Sequence, residues 1–253
     1  MCKFRGRGPV FPALLLVLLA VGAFAQDPAE RTKPPKEAYA LVLETDLYCS
    51  FFVLDGRPGP QILAPVGGEK LLLTDGEQFY GRPVGDWRAG QILQIASPGP
   101  AVPGVSGRLL FGRGRARILS VEGDRFLAQI EKSCGPVRPG DELRPYENLT
   151  PLVGRDLGYA GPFQSGGVLT GRIVFLPDDH DQLGVNGHAL IDRGRESGLE
   201  AGRQLTVFSA PQGDAAPRAV GNAVVVWAGP EAATIKILSL RDVVHRGDLV
   251  QVK

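Results

Sequence analysis

The densest set of potential ligands in this 253-residue chain is Asp178-Asp179-His180-Asp181. Read as a calcium loop, Asp179, Asp181 and Gly184 take the first, third and sixth positions. Leu183 then stands at the fifth and Leu190 at the twelfth, where oxygen ligands are required. The stretch therefore reads as a solvated turn ahead of a strand over 188–192, and no metal site is expected. The three histidines, His180, His188 and His245, could supply a general base or zinc ligands. None stands four residues from another, and no Gly-x-Ser-x-Gly elbow accompanies them. Gly112-Arg113-Gly114-Arg115-Ala116-Arg117 offers two glycines of a dinucleotide fingerprint, but Arg117 fills the third position. A strand-like run follows, so no helix N-terminus is left for a phosphate. No catalytic residue and no cofactor are expected.

Binding chemistry has better candidates. Arg113, Arg115 and Arg117 fall on one side of a strand, where three guanidinium groups suit a carboxylate-rich partner or an anionic glycan; a solvated edge strand guarded by charge has the same pattern. Trp87 and Trp227 could stack on sugars or sit in the core or at a barrel mouth. Asn148-Leu149-Thr150 fits a glycosylation acceptor, which matters only in a eukaryotic source.

The elements that must position these residues follow from composition and pattern. Thirty-four Gly and 21 Pro make up about a fifth of the chain, which excludes a helical bundle and favours short strands joined by turns. Residues 1–25 carry Lys3, Arg5 and Arg7, an apolar run from Val10 to Phe24 and a small-x-small end at Ala23-Phe24-Ala25. This is the pattern of a secretory signal peptide. Its apolar run is shorter than the roughly 20 residues a spanning helix needs, so no transmembrane span is expected after cleavage. Losing those three basic residues takes the formal charge from +1 to −2, too near neutral for a nucleic-acid binder. Residues 26–39 read as a flexible lead-in.

Strand alternation runs from Leu43 to Val53 with Cys49 on its apolar side. Further strands are expected at 70–73, 77–80, 91–95, 108–111, 115–121 and 125–131. The segment 79–95 can be laid on 191–207, matching Gly90 with Gly202, Leu93 with Leu205 and Ile95 with Val207. After a length change in the loop the match resumes: Gly114 with Gly221, Ala116 with Ala223, Ile118 with Val225, Ile130 with Ile237 and Gly140-Asp141 with Gly247-Asp248. Arg113, Arg115 and Arg117 meet Val220, Asn222 and Val224, so the fold itself does not require arginine there. The expected architecture is all-β, two tandem small β-barrel-like domains related by internal duplication. Unit one covers 40–145, a linker 146–167 and unit two 168–253. Closing each sheet on itself removes its unpaired edges. In an exported chain Cys49 and Cys134 read as a disulfide joining the first strand of unit one to the end of its long hairpin.

The run from Arg193-Gly194 through Gly198, Gly202 and Gly221 to Gly247-Asp248-Leu249-Val250 resembles β-rich segments that follow LysM peptidoglycan-binding modules in bacterial envelope proteins. More distantly it is similar to the C-terminal domain of flagellar assembly protein T. No LysM module is present, so glycan binding does not carry over. The resemblance implies a cell-envelope accessory protein, periplasmic or extracellular, that binds an envelope protein or glycan without catalysis. The alternatives are a carbohydrate or peptidoglycan ligand held at the barrel mouths, and a hydrolase whose Asp179, His180 and serines assemble only in three dimensions.

Overall fold

A computed structural model describes residues 37–146, 150–211, 213 and 216–253. The expected leader over 1–25, most of the expected lead-in and Asn148-Leu149 of the expected acceptor lie outside the described residues, as does the side chain of Asp179.

The described residues are all-β apart from one six-residue helix and two short 3-10 turns. Strand β1 (Tyr39–Val42) leads into helix α1 (Glu44–Cys49) and strand β2 (Phe51–Leu54). The first sheet then uses β3 (Ile62–Pro65), β4 (Gln78–Gly81), β5 (Ile92–Pro98), β6 (Arg108–Glu122), β7 (Arg125–Ser133) and β8 (Glu142–Pro145), in the order β3-β4-β7-β6-β5-β8, with β2 added on β6. Its end strands meet where Gln61 bridges Glu142, Ile62 N–H donates to the Asp141 carbonyl at 2.9 Å and Leu143 N–H to the Pro60 carbonyl at 2.7 Å.

After β9 (Leu152–Gly154), which pairs with β1, come β10 (Thr170–Phe175), β11 (Gln182–Leu183), β12 (His188–Ile191) and β13 (Gln204–Phe208). Then follow β14 (Ala219–Ala228), β15 (Ala233–Leu240), β16 (Val244–His245) and β17 (Leu249–Val252). Six of these close a barrel in the order β10-β12-β15-β14-β13-β17, while β11 pairs with β16.

The two sheets therefore run through their strands in one shared order, and local hydrogen bonds agree residue by residue. Gly90 N–H donates to Ile118 O and Gly202 N–H to Val225 O, both at 2.8 Å. Ile118 N–H returns to Gln91 O and Val225 N–H to Arg203 O, both at 2.9 Å. The closing turns match as well: the Asp141 carboxylate accepts the Arg138 amide at 2.7 Å and the Asp248 carboxylate the His245 amide at 2.8 Å. Each interior is packed by inward-facing apolar residues at the matching positions, Leu93, Ala116, Ile118 and Ile130 in one and Leu205, Ala223, Val225 and Ile237 in the other.

Two expected strands come out differently. The alternation over 43–53 hides α1. Asp46 Oδ2 accepts the otherwise orphaned Leu43 N–H at 2.7 Å, and Ser50 N–H donates to the Asp46 carbonyl at 3.2 Å, a bond between residues four apart that an extended strand cannot make. Residues 70–73 form no strand. Leu71 and Leu72 point outward, and Leu73 alone makes a bridge, to Val137. The runs 108–111 and 115–121 are one long strand, β6, through the glycines of the Arg-Gly-Arg stretch. A Cβ on Gly114 would lie 2.1 Å from the Lys132 carbonyl oxygen, and one on Gly112 would lie 2.2 Å from that of Tyr48. Those glycines serve close backbone approach, not a phosphate.

Cys49, the last residue of α1, is bonded to Cys134 just after β7, with a Cα–Cα distance of 5.5 Å and a sequence separation of 85. In the chain-entropy picture such a bridge stabilises by roughly 4 to 5 kcal/mol. Titration of residues 26–253 under denaturing, non-reducing conditions is expected to find no free thiol. Reduction should lower the urea midpoint accordingly, and two free thiols would refute the bridge.

Candidate functional site

The junction between the two barrels is built around Asp46. Its Oδ2 accepts from Lys236 Nζ at 2.6 Å, and its Oδ1 lies 3.3 Å from His188 Nε2. α1 supplies the carboxylate, β15 the ammonium and β12 the imidazole, and Lys236 and His188 are directly paired residues in the barrel-two ladder. Burial works to raise the Asp46 pKa. The adjacent His188 ring, the Lys236 ammonium and the Leu43 amide more than offset it and hold the carboxyl at about 2. Around this pair Phe51 and Phe175 meet edge to face at 5.5 Å, and Trp227 lies 6.0 Å from Phe52. Trp227 is thus a junction residue, and Trp87 packs on the barrel-one core beside Phe126 at 5.6 Å.

Next to the junction, a cleft of about 220 Å³ is lined by the disulfide, Ser50, Phe111, Arg113, Asp178 and His188. The other two histidines stand elsewhere: His180 follows the turn at 177–179, and His245 sits on β16. Among the described residues no group of three His, Cys, Asp or Glu side chains is placed to hold a metal ion.

Strand β6 does turn Arg113, Arg115 and Arg117 to the same outer side. Each is engaged within the chain. Arg113 donates to Ser97 Oγ at 2.6 Å and lies over the Phe111 ring. Arg115 pairs with Glu44 and with Glu131 at 3.3 Å, over Tyr48. Arg117 donates to Glu131 at 2.6 Å and to the Gly90 carbonyl at 3.0 Å. Of the three, Arg115 reaches α1 and holds it on barrel one, while Arg113 and Arg117 bind within barrel one, Arg117 being the more open of the two ion-paired arginines at 43% side-chain exposure.

A surface that residue patterns did not point to lies on the outer wall of barrel two. Residues 155–164 run across it as an irregular strap, turned at Gly158 where Asp156 accepts the Gly158 amide at 2.9 Å, and held by side-chain amides. Gln204 accepts from Leu157 N–H at 2.9 Å and donates to Arg155 O at 2.6 Å. Thr206 Oγ1 accepts from Ala160 N–H at 3.0 Å, while Gln251 both accepts from and donates to the Gln164 backbone, at 3.2 and 2.8 Å. Asp156 anchors the strap, its carboxylate accepting from Ser239 Oγ at 2.9 Å and Asn222 Nδ2 at 3.1 Å, 3.6 Å from Lys253. The available signal was the polar residue recurring inside otherwise apolar strands, as in Gln204 and Asn222. Buried polar groups of this kind must find partners, but spacing alone does not say which.

Asp46→Leu leaves the buried Lys236 ammonium unmatched and is expected to cost about 3 to 5 kcal/mol, whereas the double change with Lys236→Met is expected to recover most of it. Because the folded-state pKa is depressed, the stability Asp46 contributes is present above pH 3.8 and fades as pH falls toward about 2. Urea unfolding of the two variants at neutral pH and of the unmutated chain across that range would check both.

No helix among the described residues is long and apolar enough to cross a membrane. Neither a protein-family model nor a curated protein sequence matches the chain.

Proposed function

We propose that this chain is an exported, non-catalytic interaction or assembly module of the cell envelope, made from two tandem copies of one ancestral barrel unit. The observation that carries the reading is the strap. Barrel two holds the ten-residue segment 155–164 by backbone groups of Arg155, Leu157, Ala160 and Gln164, through the side-chain amides of Gln204 and Gln251 and the Thr206 hydroxyl. Contacts of that kind recognise a peptide backbone whatever its side chains, as strand-addition sites do. The shared strand order and matched hydrogen bonds support the duplication. The Cys49–Cys134 bridge is compatible with an oxidising compartment. The resemblance to LysM-associated segments supports the envelope setting, and the partner is an envelope protein or, as the alternative, a peptidoglycan-type glycan.

A second reading, hydrolysis, draws on His188 beside Asp46 at the rim of the disulfide cleft. There the second carboxylate oxygen is already taken by Lys236, which ties Asp46 to the junction. A photo-crosslinking residue at Arg117 or at Leu157, introduced in the native envelope, is expected to trap one predominant protein, and His188→Ala is expected to leave that adduct intact. A glycan adduct would move the assignment to the alternative. An activity on envelope substrates that disappears with His188→Ala would overturn the non-catalytic reading.

A further inference from the structure

The two barrels share a turn that only barrel one has made covalent. Cys134 N–H donates to Arg113 O at 2.9 Å, and at the same place in barrel two Arg241 N–H donates to Val220 O at 2.7 Å. Barrel two closes with an arginine there, so the barrel plan itself does not require a cysteine. In barrel one that cysteine reaches outside the sheet, to Cys49 at the end of α1. The bridge therefore fastens an added helix to a sheet already held by its own backbone ladder.

The bridge is also within reach of solvent. Cys134 is exposed and Cys49 half-buried, and both line the cleft of about 220 Å³ between the barrels. Arg113, its Nε fixed by Ser97 Oγ at 2.6 Å, holds Nη1 against the residue after Cys134: a Cβ on Gly135 would lie 3.5 Å from it. A guanidinium in that position attracts an incoming thiolate, whereas Asp178, on the barrel-two side of the same cleft, repels it. The helix that the bridge holds is the one whose other ties cross the junction. Glu44 pairs with Arg115 in barrel one, and Asp46 accepts from Lys236 in barrel two at 2.6 Å. At six residues α1 is too short to persist without such ties.

We propose that the Cys49–Cys134 bridge is a thiol–disulfide exchange site, opened by a dithiol that enters this cleft, and that its state sets how firmly α1 locks the two barrels together. One thiolate of the dithiol attacks Sγ of Cys134, the more exposed of the two residues, and forms a mixed disulfide. The electron pair of the old S–S bond leaves on Cys49 Sγ, which takes a proton from water. The second thiol of the dithiol then loses its proton and attacks the reductant's sulfur in the mixed disulfide. Cys134 departs with that electron pair and is protonated, and the dithiol leaves as its own disulfide, having passed two electrons to the bridge. With the bridge open, α1 is left to the Glu44 and Asp46 ion pairs and to the packing of Leu47 and Tyr48, so the carboxylate facing Lys236 and His188 loses its covalent support. This holds whatever the chain binds.

The test treats oxidised residues 26–253 with dithiothreitol in native buffer and quenches with a maleimide for mass mapping. Both cysteines are expected to label within minutes without denaturant, and the reduced chain is expected to keep its β-type circular dichroism. Arg113→Gln is expected to slow reduction about threefold and Asp178→Asn to quicken it by a similar factor, differences that high salt erases. Hydrogen exchange in the reduced chain, and in the double change Cys49→Ser with Cys134→Ser, is expected to rise about tenfold or more over 44–50, and by more there than in β13 and β14 of barrel two. A bridge that resists the dithiol until the chain is unfolded, a reduced chain that unfolds, charge variants that leave the rate unaltered, or exchange over 44–50 that ignores reduction would each overturn the proposal. None of these outcomes touches the envelope-partner reading, which is scored by the trapped adduct.

Discussion

Thr170, Gly171 and Arg172 of β10 pair with Gln251, Val250 and Leu249 of β17, and that ladder removes both edges of the second sheet. An open six-stranded sheet of this length would present two rows of unpaired amides and carbonyls. Closure satisfies them and creates an interior that small and branched side chains fill. Sheet one reaches nearly the same result with less, through the Gln61–Glu142 bridge and the flanking backbone bonds. Among the described residues, the helix and the strap are attached to one closed barrel and one sheet whose ends meet through a single bridge.

What is attached is mostly polar. α1 is held on barrel one by Glu44 with Arg115 and by the bridge to Cys134, and the strap is held on barrel two by Asp156 with Asn222 and by the two glutamines. Between the barrels, Asp46 on α1 reaches Lys236 on barrel two. One short helix thus receives contacts from both halves. A buried pair of that kind adds little net stability over an apolar packing, but it tolerates few alternative arrangements, and losing either member strands a charge. Its place at the centre of an aromatic contact suits a device that sets how one barrel meets the other.

The arginine row shows how a surface pattern changes meaning once neighbours are known. Alternation along β6 put Arg113, Arg115 and Arg117 on the outer face, as the period of two requires. Yet α1 and β7 bring Glu44 and Glu131 against two of them, and Ser97 against the third. The amides beneath the strap and the cavity beside Lys253 are polar features of a different kind. Neither shows in any local motif, because each is made of residues from strands far apart in the chain.

Strand alternation, the turn glycines and the pairing of Gly140-Asp141 with Gly247-Asp248 were enough to establish an all-β chain with a repeated order of elements, since each is a local property of backbone sterics and side-chain period. Reading Cys49 and Cys134 as an even pair was enough to expect the bridge that the structure holds between them. Only tertiary structure decided that residues 44–49 coil, because six residues are too few to display a helical period and the groups that stabilise them, Lys236 and His188, come from the other barrel. The same holds for the partners of Asp46, Gln204 and Asp156, and for which segment covers each wall: Val226 and Trp227 on the first, the strap on the second. These depend on residues brought together by barrel closure across separations as long as the 190 positions between Asp46 and Lys236, a distance over which one-dimensional pattern carries no register.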